Sequence, residues 1–151
     1  MSSALEAYRH RIDFPVRFSD LDAMGHVNNA RYLTFYEEGR ANWCVHCLGM
    51  ENGSVAYPVI VARTEVDYLL PIPFGGGVQV YTRCSAIGNK SITIEGCILL
   101  DEAEPQVASR YKCILVFFDY ETGQAHPIPE AARKAILDFE PALAPKAKQK
   151  K

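Results

Sequence analysis

Between residues 28 and 48 the chain carries one apolar stripe at helical spacing, and that stripe limits what the rest can fold into. Tyr32, Phe35, Tyr36, Gly39, Trp43 and Cys47 recur every three or four residues, which lines one face of an α-helix. Asn28 and Asn29 are both suited to cap its start. Gly39 interrupts the stripe, and a helical glycine costs about 1 kcal/mol against alanine. Its presence predicts close approach to another backbone at that turn.

Around this helix the pattern is that of strands. Ile12, Phe14, Val16 and Phe18 alternate with Arg11, Asp13 and Arg17, so Arg9 to Phe18 reads as a half-buried first strand. Residues 49–54 break the helix. Ile60, Ala62, Thr64, Val66, Tyr68 and Leu70 then share one face of a long strand that Pro71, Pro73 and Gly75–Gly77 end. Val78, Val80, Thr82, Cys84 and Ala86 form the inner face of the next, and Gly88-Asn-Lys90 turns into Ile92, Ile94, Gly96, Ile98 and Leu100. Val107 to Phe118 is the last long strand, and Pro129 to Phe139 suits a closing helix. The short links predict a meander of antiparallel neighbours. One strand, one long helix and four strands make an α+β order in which the helix covers one sheet face. The other face and the edges stay unexplained, and a second copy of the chain is the simplest cover.

At 151 residues the chain suits one domain, residues 1–151, with a polar, flexible end over residues 141–151. A net charge of −2 speaks against a broad basic face, hence against nucleic acid as partner. No apolar run approaches the roughly 20 residues that span a bilayer, and the first residues lack a signal-peptide core. A cytoplasmic protein with no membrane partner is expected. Five cysteines, an odd number, suit reduced thiols. Cys44 and Cys47 have the spacing of a metal pair, but no second pair completes it, and both fall on the helix as small buried groups. No metal is expected.

The segment that leads into the helix is Val16-Arg-Phe-Ser-Asp-Leu-Asp-Ala-Met-Gly-His-Val-Asn-Asn-Ala-Arg-Tyr-Leu-Thr-Phe-Tyr-Glu-Glu38. It resembles the signature of the 4-hydroxybenzoyl-CoA thioesterase family of hotdog proteins: a strand, then D-x-D-x-x-G-H-V-N-N-x-x-Y, then a long helix bearing an acidic residue. Val66-Asp-Tyr-Leu-Leu-Pro-Ile-Pro-Phe-Gly75 is similar to a second, weaker family motif. The resemblance implies a hotdog fold, a long helix wrapped by a curved antiparallel sheet of about five strands. It also implies homodimers or homotetramers with active sites between subunits, and hydrolysis of acyl thioesters.

The residues make chemical sense by themselves. Thioester hydrolysis needs an attacking oxygen and donors for the charge that develops on the carbonyl oxygen. Asp22 precedes a glycine turn that feeds a helix, whose first amides and positive dipole end are donors of that kind, with the Asn29 amide best placed. By resemblance Asp22 is the catalytic carboxylate, acting either as nucleophile or as general base, with no cofactor. Asp20 keeps a turn role. Gly25 supplies unusual backbone geometry, Asn28 and Asn29 cap and position the helix, and His26 orients the loop or contacts substrate. Glu37 matches the family's acidic helix position, and a solvated helix carboxylate is the alternative. Lys90 resembles a position that contacts the nucleotide of coenzyme A; Arg83, Arg110 and Lys112 are lesser candidates. Tyr32, Tyr36 and Trp43 are either core or pocket lining. The acyl carrier is coenzyme A or acyl-carrier protein.

Rival functions find less support. No G-x-S-x-G elbow occurs, and Gly75–Gly77 lacks the Lys-Ser/Thr of a phosphate loop. A hotdog dehydratase would place its histidine differently. A non-catalytic acyl-thioester-binding protein of the same fold stays open, because fold alone does not settle function.

Overall fold

The computed structural model describes residues 5–143. In chain order these form β1 (His10–Pro15), α1 (Asn29–Leu48), the short β2 (Met50–Glu51) and β3 (Ser54–Val55), and β4 (Val59–Tyr68). There follow β5 (Gly77–Ile87), β6 (Ser91–Leu100), β7 (Val107–Asp119), β8 (Gln124–Ala125) and α2 (Glu130–Phe139). The sheet curls into a half-barrel around α1, the expected hotdog arrangement. Pro141–Leu143 make a 3₁₀ turn with Leu143 packed on the core, and the rest of the expected tail lies outside the described residues.

The first strand is shorter than its alternation suggests. It ends at Pro15, and Phe18–Asp20 form a 3₁₀ turn because the Asp20 carboxylate accepts the Arg17 amide at 2.8 Å. Phe18 therefore points outward, 80% exposed, and is not an inner-face residue.

The strand order, β1-β5-β6-β7-β4, also corrects the expected four-strand meander. Only β5 to β7 follow one another. β4 pairs with β7, Val59 opposite Phe117 and Tyr68 opposite Ser109, so residues 69–76 cross from one side of the sheet to the other. Pro71 and Pro73 cannot donate to a ladder, which suits this crossover better than a hairpin. It is tied down where Val27 N–H donates to Ile72 C=O at 2.9 Å.

Helix position follows from Gly39. A Cβ there would lie 2.8 Å from Val80 Cγ1 and 3.0 Å from Thr82 Oγ1, so α1 rests directly on β5. The expected close approach is met by side chains of the strand. Tyr32, Tyr36 and Trp43 are core residues against Val78, Val80, Ile94 and Ile98, and Tyr36 stacks on Tyr111 at 4.4 Å. β4 lies beyond this cover. Its register shifts between Val61 and Arg63, which breaks the expected inner face, and Ile60 and Tyr68 are 39% and 48% exposed. A second bulge, between Cys84 and Ala86, likewise turns Ala86 outward.

The C-terminal end of α1 is locked by Glu140, a buried side chain just past α2. Its Oε1 accepts from Trp43 Nε1 at 3.1 Å and from the Cys84 amide, beside the bulge, at 3.0 Å. Burial pushes its carboxyl above the usual range against the pull of these two donors. All five cysteines are free and buried. Burial raises Cys44 to about 11 and Cys47 to about 12, so both are neutral thiols that pack, as expected.

Two outcomes test this packing. Gly39→Ala is expected to lower stability by about 1–3 kcal/mol in urea unfolding, the usual penalty of overpacking, despite alanine's better helix propensity. Glu140→Gln keeps an oxygen acceptor for both donors and should stay within about 1 kcal/mol of the parent. Glu140→Leu strands two buried N–H groups and should cost about 2 kcal/mol or more.

Candidate active site

The segment before α1 is built on a buried carboxylate. Asp20 is fully buried and accepts from Arg17 N at 2.8 Å and Arg17 Nη2 at 3.2 Å, with Arg31 Nε 3.7 Å away. Burial pushes its pKa up, but the Arg17 bonds and the two guanidinium charges outweigh this and hold it below the usual value. Its backbone carbonyl accepts from Asn28 N at 2.8 Å. Asp20 thus joins the end of β1 to the start of α1, a larger part than capping a turn.

From that anchor the chain makes a small hairpin. Leu21 bridges Val27, Asp22 N–H donates to His26 C=O at 2.8 Å, and Gly25 N–H donates to Asp22 C=O at 3.1 Å. This is a three-residue loop, a turn followed by one left-handed residue. Gly25 is that residue, at φ +79°, a conformation that costs other residues about 1–2 kcal/mol. Aspartate suits the first turn position because its side chain can bond the backbone. Here Asp22 Oδ1 accepts from Met24 N at 2.8 Å, while Oδ2 has no hydrogen-bond partner among the described residues. Leu21 and Val27 pack inward, so Asp22 and His26, next along each arm, are exposed.

The hairpin runs into the helix. Asn28 is the N-cap, its Oδ1 accepting from Ala30 N at 2.9 Å, and its carbonyl accepts from Arg31 N at 2.8 Å. Asn29 is the first helical residue, and its N–H has no acceptor among the described residues. Its carbonyl accepts from Tyr68 Oη at 3.3 Å. The junction therefore presents a half-free carboxylate and an open amide at the positive end of a 20-residue helix.

Asp22, Gly25, His26, Asn28 and Asn29 come together at this junction. Glu37 does not: it is exposed on α1, about 12 Å up the axis from Asn29 at helical rise. Lys90 lies in the turn at the far end of β5, a strand roughly 36 Å long. Arg83 is committed to Glu95 at 2.7 Å and stacks on Tyr8. Arg110 and Lys112 line a cleft of about 950 Å³ with Tyr8, Tyr81 and Cys97. That cleft is on the sheet face away from α1 and includes no residue of the Asp22 loop. Among the described residues no three His, Cys, Asp or Glu side chains group to hold a metal ion.

What sequence reasoning missed is the apolar rim. Phe18 and Met24, 80% and 81% exposed, flank the hairpin, and Phe74 of the crossover meets Phe18 edge-on at 6.2 Å. Bulky apolar residues within a turn-rich polar segment were the available signal.

The model of the Thioesterase-like superfamily matches residues 16–136. A thioesterase from Thermus thermophilus, solved in complex with coenzyme A and Zn, superposes with a TM-score of 0.80 at 33% identity, covering 90% of this chain and 97% of its own. The long-chain acyl-CoA thioesterase FadM of Escherichia coli (strain K12) is 28% identical over 130 residues, 80% of this chain and 92% of FadM. The uncharacterized protein YsmA of Bacillus subtilis (strain 168) is 26% identical over 122 residues, 81% of each chain. The hotdog architecture, the loop-to-helix junction and these likenesses agree: the chain belongs to the Thioesterase-like superfamily and is a thioesterase.

Proposed function

We propose that the chain hydrolyses acyl-CoA thioesters at the Asp22 hairpin. The observation that carries this is the state of the Asp22 carboxylate: one oxygen is fixed by the Met24 amide, the other is open to a reactant. A carboxylate held in this way can remove a proton from water, or attack the thioester carbon directly. The Asn29 amide then receives the negative charge that forms on the carbonyl oxygen, aided by the helix dipole. Gly25 sets the hairpin, Asn28 sets the helix start, and no step calls for a cofactor.

The acyl group is read as apolar. Phe18, Met24, Phe74 and Leu69 are exposed around the hairpin, an arrangement that suits a hydrocarbon chain. Coenzyme A as carrier is supported by the Thermus relative bound to it and by the named substrate class of FadM.

The working unit is read as a dimer formed along β4. This strand is a sheet edge with exposed apolar residues, which favours pairing with a copy of itself. Phe117 N–H donates to Lys90 C=O at 2.9 Å and pairs with Val59, so Lys90 sits at the Val59 end of β4. Tyr68 and Asn29 sit at the other end. Antiparallel pairing of two β4 strands brings Lys90 of one copy toward the Asp22 end of the other, where it would meet the nucleotide phosphates. Glu37 is taken as a substrate contact from the same interface.

Asp22→Asn is expected to keep the fold and lower thiol release from a long-chain acyl-CoA by about 10²–10⁴-fold. A rate within about threefold of the parent would remove Asp22 from the chemistry. Asp20→Asn tests a different property. Because the folded carboxyl of Asp20 is held low, its stabilisation is complete at neutral pH and is lost as pH falls through about 4 and below. The variant should be less stable at pH 7, with the difference narrowing on acidification. Light scattering should report a dimer or a multiple of it.

A further inference from the structure

We infer that His26 is the proton donor to the departing thiol, working opposite Asp22 across the hairpin; this rests on the hydrolytic reading above. Asp22 and His26 close the three-residue loop as directly opposed residues, joined by the bond from Asp22 N–H to His26 C=O at 2.8 Å. Opposed residues of an antiparallel pair project to the same side with Cβ atoms about 5 Å apart. Their neighbours Leu21 and Val27 are turned into the core, which fixes the outward side for this pair. Gly25, at φ +79°, holds the closure in that register.

Neither side chain is used up by the fold. The His26 ring makes no hydrogen bond among the described residues, and it forms no ion pair within 4.0 Å of Asp22. With no contact between the carboxylate and the imidazole, a reactant can lie between the two heads. Asn29, the amide assigned to the carbonyl oxygen, follows His26 by three residues and opens the helix into which that arm runs. A thioester whose oxygen meets Asn29 can therefore present its carbon to Asp22 and its sulfur to His26.

Taken through the water route, the step balances. Asp22 takes a proton from water as the hydroxyl oxygen bonds the acyl carbon. The tetrahedral intermediate then collapses, the C–S bond breaks, and its electron pair leaves with sulfur. The imidazolium of His26 gives its proton to that sulfur, and the proton held by Asp22 passes to His26 to restore the pair. One thioester and one water yield one carboxylic acid and one thiol.

The test uses the full chain and two leaving groups. With an acyl-CoA, His26→Gln should lower kcat by about 10²-fold while KM stays within about threefold. The kcat–pH profile of the variant on acyl-CoA should lack the limb that a general acid gives the parent. With the matching acyl thioester of nitrothiophenol, whose thiolate leaves without a proton, His26→Gln should recover to within about threefold of the parent. Free imidazole should restore part of the rate of His26→Ala on acyl-CoA. An acyl-CoA rate within about threefold of the parent, or equal impairment on both thioesters, would overturn the inference. Asp22→Asn should be impaired on both substrates, and an active Asp22→Asn would overturn the hydrolytic reading itself.

Discussion

A single helix has to cover a sheet wider than itself, and the contact at Gly39 decides which part is covered. With no side chain there, α1 sits on Val80 and Thr82 of β5, and its aromatic stripe fills the space above β5 to β7. Close packing of that kind leaves little freedom to slide. β4, the strand at the far edge, is then left with its inner residues exposed. The open edge proposed for pairing and the position of the helix N-terminus are both consequences of where Gly39 allows the helix to rest.

The same placement explains why the proposed site lies at one end. The C-terminal end of α1 is closed by Glu140, which satisfies Trp43 and the Cys84 bulge. Its N-terminal end is approached by the β1 exit and by the 69–76 crossover, which meet where Val16 N–H donates to Gly76 C=O. A buried Asp20, contacted by Arg17 and Arg31, ties the β1 exit to the start of α1. The carboxylate is buried while both arginines reach solvent, so removing them would strand a buried charge, and the hairpin has a fixed base. Exposed Asp22 and His26 are thus presented on a short loop closed by its own backbone bonds and tied to the crossover through Val27 and Ile72, a geometry suited to reacting groups.

The loop itself was legible before the structure. Asp22, Gly25, Asn28 and the helix stripe announce themselves through turn chemistry, capping and period, each set by residues within four or five positions. Asp20 exceeds its expected turn role because Arg17, Arg31 and Asn28 converge on it, with a burial that no local pattern encodes. Phe18 leaves the strand face that its alternation suggests because Asp20 draws the chain into a turn before the pattern ends. Lys90 was correctly placed in a turn, yet that turn is at the other end of the sheet from Asp22 in its own chain.

By itself the sequence determined the element types, the amphipathic helix, the hairpin and the carboxylate it presents, since these depend on short-range torsional preferences and spacing. Only the tertiary structure decided that β4 pairs with β7 instead of β5, that β1 and β4 are the edges, and that Ala62 and Ala86 fall at register shifts. Those outcomes depend on pairings such as Val59 with Phe117, far apart in the chain. Alternating apolar residues make a strand competent to pair but do not name its partner. The partner is named only by contacts between distant segments, such as Gly39 of α1 on Val80 of β5.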